Sequence, residues 1–176
     1  MAKNLVIYFS RKGENYVNRN IENLEKGNTE FVAEFIQRAV GGDLFEVDPV
    51  KPYAADYNTC IEEAKKEMNE KARPELKNYL GSIEEYDNVF ICGPCWWGHY
   101  PMAIYTQLEK LNWRGKRVIP VMTHEGSGLG ECESDLKKIC AGATLESGLA
   151  VHGADAPESE STVASWAKEV VKETLL

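Results

Sequence analysis

Two rhythms of hydrophobic and polar positions alternate along this chain. Residues 3–9 form a mostly apolar run, β-branched in part, and this predicts a buried strand. Residues 29–40 place Phe31, Val32, Phe35, Ile36 and Ala39 at helical spacing, and Gly41-Gly42 ends the helix. Residues 43–49 read as a short strand closed by Pro49. Residues 56–80 are charged with sparse apolar positions, which predicts a surface helix interrupted near Arg73-Pro74. A strand follows at 86–94, bounded by Gly93-Pro94, then a helix at 102–111. Residues 116–123 predict another strand, although Pro120 is out of place in a central one. A helix at 130–140, a last strand at 143–151 and an amphipathic helix at 161–175 complete the series, the last with Val163, Trp166, Val170 and Val171 inward.

Strand and helix thus repeat five times. Such alternation implies an α/β fold with a parallel sheet, helices on both faces and right-handed crossovers. At 176 residues, with no linker, internal repeat or low-complexity tract, the chain reads as one domain over 1–176. Open parallel sheets bind ligands beyond the carboxyl ends of their strands. The stretches to inspect are therefore "SRKG" after the first strand, "PCWWGHYP" after the third and "THEGSGLG" after the fourth.

Composition narrows the classes. The net charge of −8 excludes a nucleic-acid footprint, which needs basic groups, and suits a small-molecule protein or one that docks on basic partners. The opening apolar run is too short for a signal segment or a membrane span, so a cytoplasmic protein is expected. The five cysteines are odd in number and lack zinc spacing, so neither a disulfide framework nor a metal site is expected.

The first loop leads to "GNTEFVAEFI", with Asn28-Thr29 at the start of the first helix. Free N–H groups and the helix dipole suit a phosphate there, and Ser10, Arg11 and Lys12 add hydroxyl and charge. Asn28 or Thr29 as an ordinary N-cap accounts for the same residues. Walker A and dinucleotide glycine fingerprints are both missing. The intervening residues 14–26 are polar and irregular, either a lid over the phosphate or an inert excursion.

"CGPC" spells a thioredoxin-type dithiol, but Cys92 ends a buried strand pattern and no helix can start before Met102. If Gly93-Pro94 continues extended, the two Cα atoms lie roughly 10 Å apart, beyond disulfide reach. Trp96 and Trp97 are costly to leave in water; one can plug the core edge, but the pair points to a flat aromatic ligand. In the third loop three glycines among residues 123–130 let backbone N–H groups approach a ligand. His124 and Glu125 read as solvated loop residues, because no nucleophile or third triad member accompanies them, and no catalytic set is assigned.

In combination, "YFSRKG…GNT", "PCWWGHYP" and "THEGSG" resemble the flavodoxin family, as do "KPYAADYNTC…ARPEL" and "CAGATLESGLAV". The resemblance covers almost the whole chain. It implies a three-layer, doubly wound, five-stranded parallel sheet of order 2-1-3-4-5 with FMN at the switch point. It also implies that Ser10, Arg11, Lys12, Asn28 and Thr29 hold the phosphate. Pro94, Cys95, Trp96, Trp97 and Gly98 would line one side of the isoalloxazine, and Thr123, His124, Glu125, Gly126, Ser127 and Gly128 the other. Two departures stand out: the 14–26 insert splits the phosphate loop, and Lys12 replaces a hydroxyl residue, so Asn15 could stand in for a lost contact. The implied role is low-potential electron transfer between redox partner proteins that dock near the flavin edge, with no membrane or metal. The alternative is an NAD(P)H-dependent quinone or flavin reductase on the same fold. A phosphoacceptor module is disfavoured because Ser10 and Pro94 stand where it needs acidic groups.

Overall fold

The computed structural model describes residues 2–172. In chain order the elements are β1 (Asn4–Tyr8), β2 (Gly13–Val17), β3 (Asn20–Leu24), α1 (Asn28–Val40), β4 (Asp43–Glu46), α2 (Tyr57–Glu70), β5 (Asn88–Pro94), α3 (Met102–Leu108), β6 (Arg117–His124), α4 (Cys132–Ile139), β7 (Thr144–Leu145), β8 (Leu149–His152), a 3-10 turn (Gly153–Glu158) and α5 (Glu160–Lys172). The main sheet is parallel, in the order β4-β1-β5-β6, with β7 and β8 both on the far edge of β6. This is the expected order 2-1-3-4-5, with the fifth strand in two pieces.

The break in that edge has a local cause. β7 pairs with Arg117 and Val118, and β8 with residues from Val121 onward, so Ile119 and Pro120 face the unpaired stretch 146–148. Pro120 has no N–H to give, and the partner strand is interrupted opposite it.

Strand alternation sorts the core onto two faces. Leu5, Ile7, Val89, Ile91, Val118 and Met122 pack with α3 and α4. Val6, Tyr8, Phe90, Cys92, Ile119 and Val121 pack on the other face against α1 and α5. Helices thus cover both sides, and the carboxyl ends of β1, β5 and β6 open together at one edge of the sheet.

Several boundaries differ from the sequence pattern. The surface helix stops at Lys71, which adopts a left-handed conformation (φ 52°). The following residues are irregular, because Pro74 bars helical geometry at Arg73; only a bridge between Pro49 and Leu76 marks them. The helix expected at 102–111 is shorter, and the one expected at 130–140 starts two residues later and ends one earlier. The last helix was expected to reach 175, and residues 173–175 lie outside the described residues. The insert at 14–26 is a hairpin, β2 with β3, in its own two-stranded sheet.

Candidate functional site

The hairpin decides whether the first loop works as a unit. β2 pairs with β3 from Gly13 opposite Leu24 to Val17 opposite Asn20, so the insert leaves and returns at neighbouring points. Its two-residue turn, Asn18 (φ 49°) and Arg19 (φ 69°), has the mirror-image geometry that matches strand twist. Ser10 consequently lies on the first turn of α1, where its Oγ accepts the N–H of Glu30 at 3.0 Å. Phe31 donates back to Gly27 at 3.4 Å. The N–H groups of Asn28 and Thr29 remain for a group in the cleft.

Arg11 is a tie at the base of the hairpin. Its Nε donates to the Glu14 carbonyl at 2.7 Å and its Nη2 to those of Ala54 and Ala55 at 2.9 and 3.1 Å. The Asn15 amide donates to the carbonyls of Arg11 (2.9 Å) and Gly13 (3.1 Å). Tyr16 stacks on Tyr57 with ring centroids 6.1 Å apart, and the Tyr57 N–H donates to Glu14 Oε1 at 2.8 Å. Lys12 is exposed and faces the Asp48–Pro49 side, away from the cleft.

In the second loop, β5 stays extended through Pro94, and all five cysteines are free. The glycine of "CGPC" has a packing reason: a Cβ on Gly93 would stand 2.7 Å from the rings and methyls of Tyr100 and Ile104. Tyr100 is fully buried there and donates its hydroxyl to the Ile91 carbonyl at 2.8 Å. The two tryptophans divide their work. Trp96 packs edge-on against Phe9 (5.1 Å) and Tyr53 (4.9 Å). Trp97 is 44% exposed, its indole N–H donates to the Ile61 carbonyl at 2.8 Å, and the Lys65 ammonium lies 5.0 Å over its ring.

The third loop joins the second, since Cys95 donates to the Thr123 carbonyl (2.8 Å) and Glu131 to that of Gly98 (2.7 Å). Thr123, His124 and Glu125 line the cleft; Gly98, Gly126, Ser127 and Gly128 do not. The Gly126 N–H donates to His124 Nδ1 at 2.9 Å. Burial, and then the neighbouring His152, holds His124 below the usual imidazole range. Because Nδ1 accepts the Gly126 N–H, the neutral ring carries its proton on Nε2.

These parts enclose two joined cavities. A polar one of about 130 Å³ lies against Asn28, Thr29, Thr123 and Glu125. An apolar one of about 240 Å³ is lined by Cys60, Ile61, Ala64 and Trp97. Arg11, Asn15, Tyr57, Cys95 and Trp96 border both. Among the described residues, no group of His, Cys, Asp or Glu is placed to hold a metal ion.

The family model described as Flavodoxin matches residues 3–170. The chain belongs to the flavodoxin family. Among solved structures, it is 32% identical to a candidate flavoprotein from Bacteroides uniformis ATCC 8492, with 95% of this chain and 98% of that one covered and a TM-score of 0.76. A flavoprotein from Lactobacillus acidophilus NCFM in complex with FMN is 18% identical, over 90% of this chain and 98% of that one, with a TM-score of 0.61. Fusobacterium nucleatum flavodoxin bound to flavin mononucleotide is 16% identical, over 97% and 98%, with a TM-score of 0.56. At those two identities the likeness speaks for the fold alone. No curated protein matches the chain.

In this flavodoxin-family chain, the sequence pattern anticipates most of the rim but misses Tyr16, Tyr57, Cys60, Ile61, Ala64 and Gly153. Tyr57 had a readable signal, since it opens α2 directly after the N-cap Asp56, whose Oδ2 accepts the Thr59 N–H at 2.8 Å. Tyr16 had none, because the hairpin turn carries no glycine.

Proposed function

We propose that the chain binds FMN and carries electrons between redox partner proteins in the cytoplasm. The observation that supports this reading is the two-part cleft, polar at the start of α1 and apolar beside the tryptophan loop. Its donors and its aromatic walls suit a molecule with a polar phosphate tail and a flat ring. FMN, when bound, supplies the redox chemistry. The N–H groups of Asn28 and Thr29, with the Thr29 hydroxyl, hold the tail. Trp96, Trp97, Tyr57 and Ile61 hold the ring and exclude water. The Thr123–Glu125 segment closes the remaining side.

Tyr16, stacked on Tyr57 at the rim of the cleft, narrows the access that a nicotinamide would need. This favours a carrier over an NAD(P)H-dependent quinone or flavin reductase. The net charge of −8 favours basic partners, which it steers at low ionic strength. Five free cysteines suit a reducing compartment.

The test compares the FMN-loaded protein in two assays. A carrier mediates electron flow to a basic redox protein, and the rate falls as salt rises. Steady NADPH oxidation with a quinone, indifferent to salt, would instead assign a reductase.

A further inference from the structure

At the polar end of the cleft, one side chain opposes the rest. Glu125 Oε2 accepts the N–H of Asn18 at 3.1 Å and faces His152 Nε2 at 3.2 Å. Its other oxygen, Oε1, is buried and has no hydrogen-bond partner among the described residues. That oxygen lies beside Asn28, the first residue of α1. A Cβ on Gly153 would lie 2.6 Å from Glu125 Oε1 and 2.9 Å from Asn28 Nδ2, so the carboxylate and the Asn28 amide converge on one point. Gly153 has no side chain because this space is taken.

The surroundings do little to offset a second anion there. Among the described residues, Arg11 is the one Lys or Arg bordering this cavity, and its Nε and Nη2 are committed to three backbone carbonyls. Lys12 faces away, and Lys26 is paired with Glu34. His152 stands between Glu125 and Asp155.

We propose that Glu125 is a specificity-determining residue that weakens the hold on the ligand's phosphate, so that this chain discriminates little between FMN and riboflavin. The inference rests on the flavin reading above. A carboxylate beside the α1 N-terminus repels a dianion while leaving a neutral hydroxyl unaffected.

Binding of FMN and of riboflavin, each followed by quenching of flavin fluorescence, tests this. Wild type is expected to hold the two flavins within roughly ten-fold of each other, and Glu125→Gln to tighten FMN roughly ten- to a hundred-fold more than riboflavin. Glutamine keeps an acceptor for Asn18, and Glu125→Ser removes the charge without the amide, so agreement of the two variants assigns the effect to charge. Unchanged FMN-to-riboflavin ratios in both variants would overturn the inference while leaving the flavin reading intact. Wild type preferring FMN by more than about a thousand-fold would also overturn it, whatever the variants' stability. If wild type binds neither flavin, both readings fail.

Discussion

Thr29 and Thr123 meet through their hydroxyl oxygens at 2.8 Å, both buried. This contact joins the first turn of α1 to the carboxyl end of β6, and so sets the polar end of the cleft. Replacing Thr123 with Val removes the buried partner of the Thr29 hydroxyl. The expected loss is about 1–3 kcal/mol in urea unfolding, and the Thr29→Val/Thr123→Val double variant should cost less than the two single changes added together. Strict additivity would mean that the hydroxyls do not depend on each other.

The two tryptophans should separate stability from ligand binding. Trp96 is wedged between Phe9 and Tyr53, so Trp96→Ala is expected to cost about 3 kcal/mol of stability. Trp97 has nearly half its surface in solvent, and Trp97→Phe should change stability by less than about 1 kcal/mol while weakening the flavin. Unfolding curves and flavin titrations on both variants check this division.

Burial governs the thiols. It pushes Cys60 up to about 11, and Cys132 and Cys140 up to about 12, from the usual 9.0, and raises fully buried Cys92 as well. In the unfolded chain these thiols ionise near pH 9, whereas in the folded chain they stay neutral. The stability they contribute is complete below pH 9 and is lost as pH rises toward 12, at roughly 1.4 kcal/mol per pH unit for each thiol. Melting temperature should therefore fall steadily above pH 9. Below it, a thiol reagent should label one residue ahead of the others, Cys95, which borders both cavities. Fast labelling of Cys92 would contradict the packing described.

The alternation of strands and helices was readable because each core strand carries a near-continuous apolar run and each helix an apolar stripe. The "GNT" and "SRKG" segments were readable as partners through the family resemblance, not through periodicity. The hairpin between them was not. Its turn residues, Asn18 and Arg19, lack the glycine that usually announces such a turn, and of its residues only Val17 is buried, so no periodicity marks it. The split fifth strand was half-visible in Pro120, a residue that fits a sheet only where its partner lets go. The role of Gly93 was hidden altogether, because it depends on Tyr100 crossing over it from seven residues further along.

The central claim is that the cleft at the ends of β1, β5 and β6 takes a flavin. Its most direct test is titration of the purified chain with FMN, following flavin absorption and fluorescence. Stoichiometric binding with a shifted flavin spectrum and strong quenching by the neighbouring tryptophans and tyrosine is the predicted result. Flavin that keeps its free spectrum and full emission at saturating protein would contradict the account.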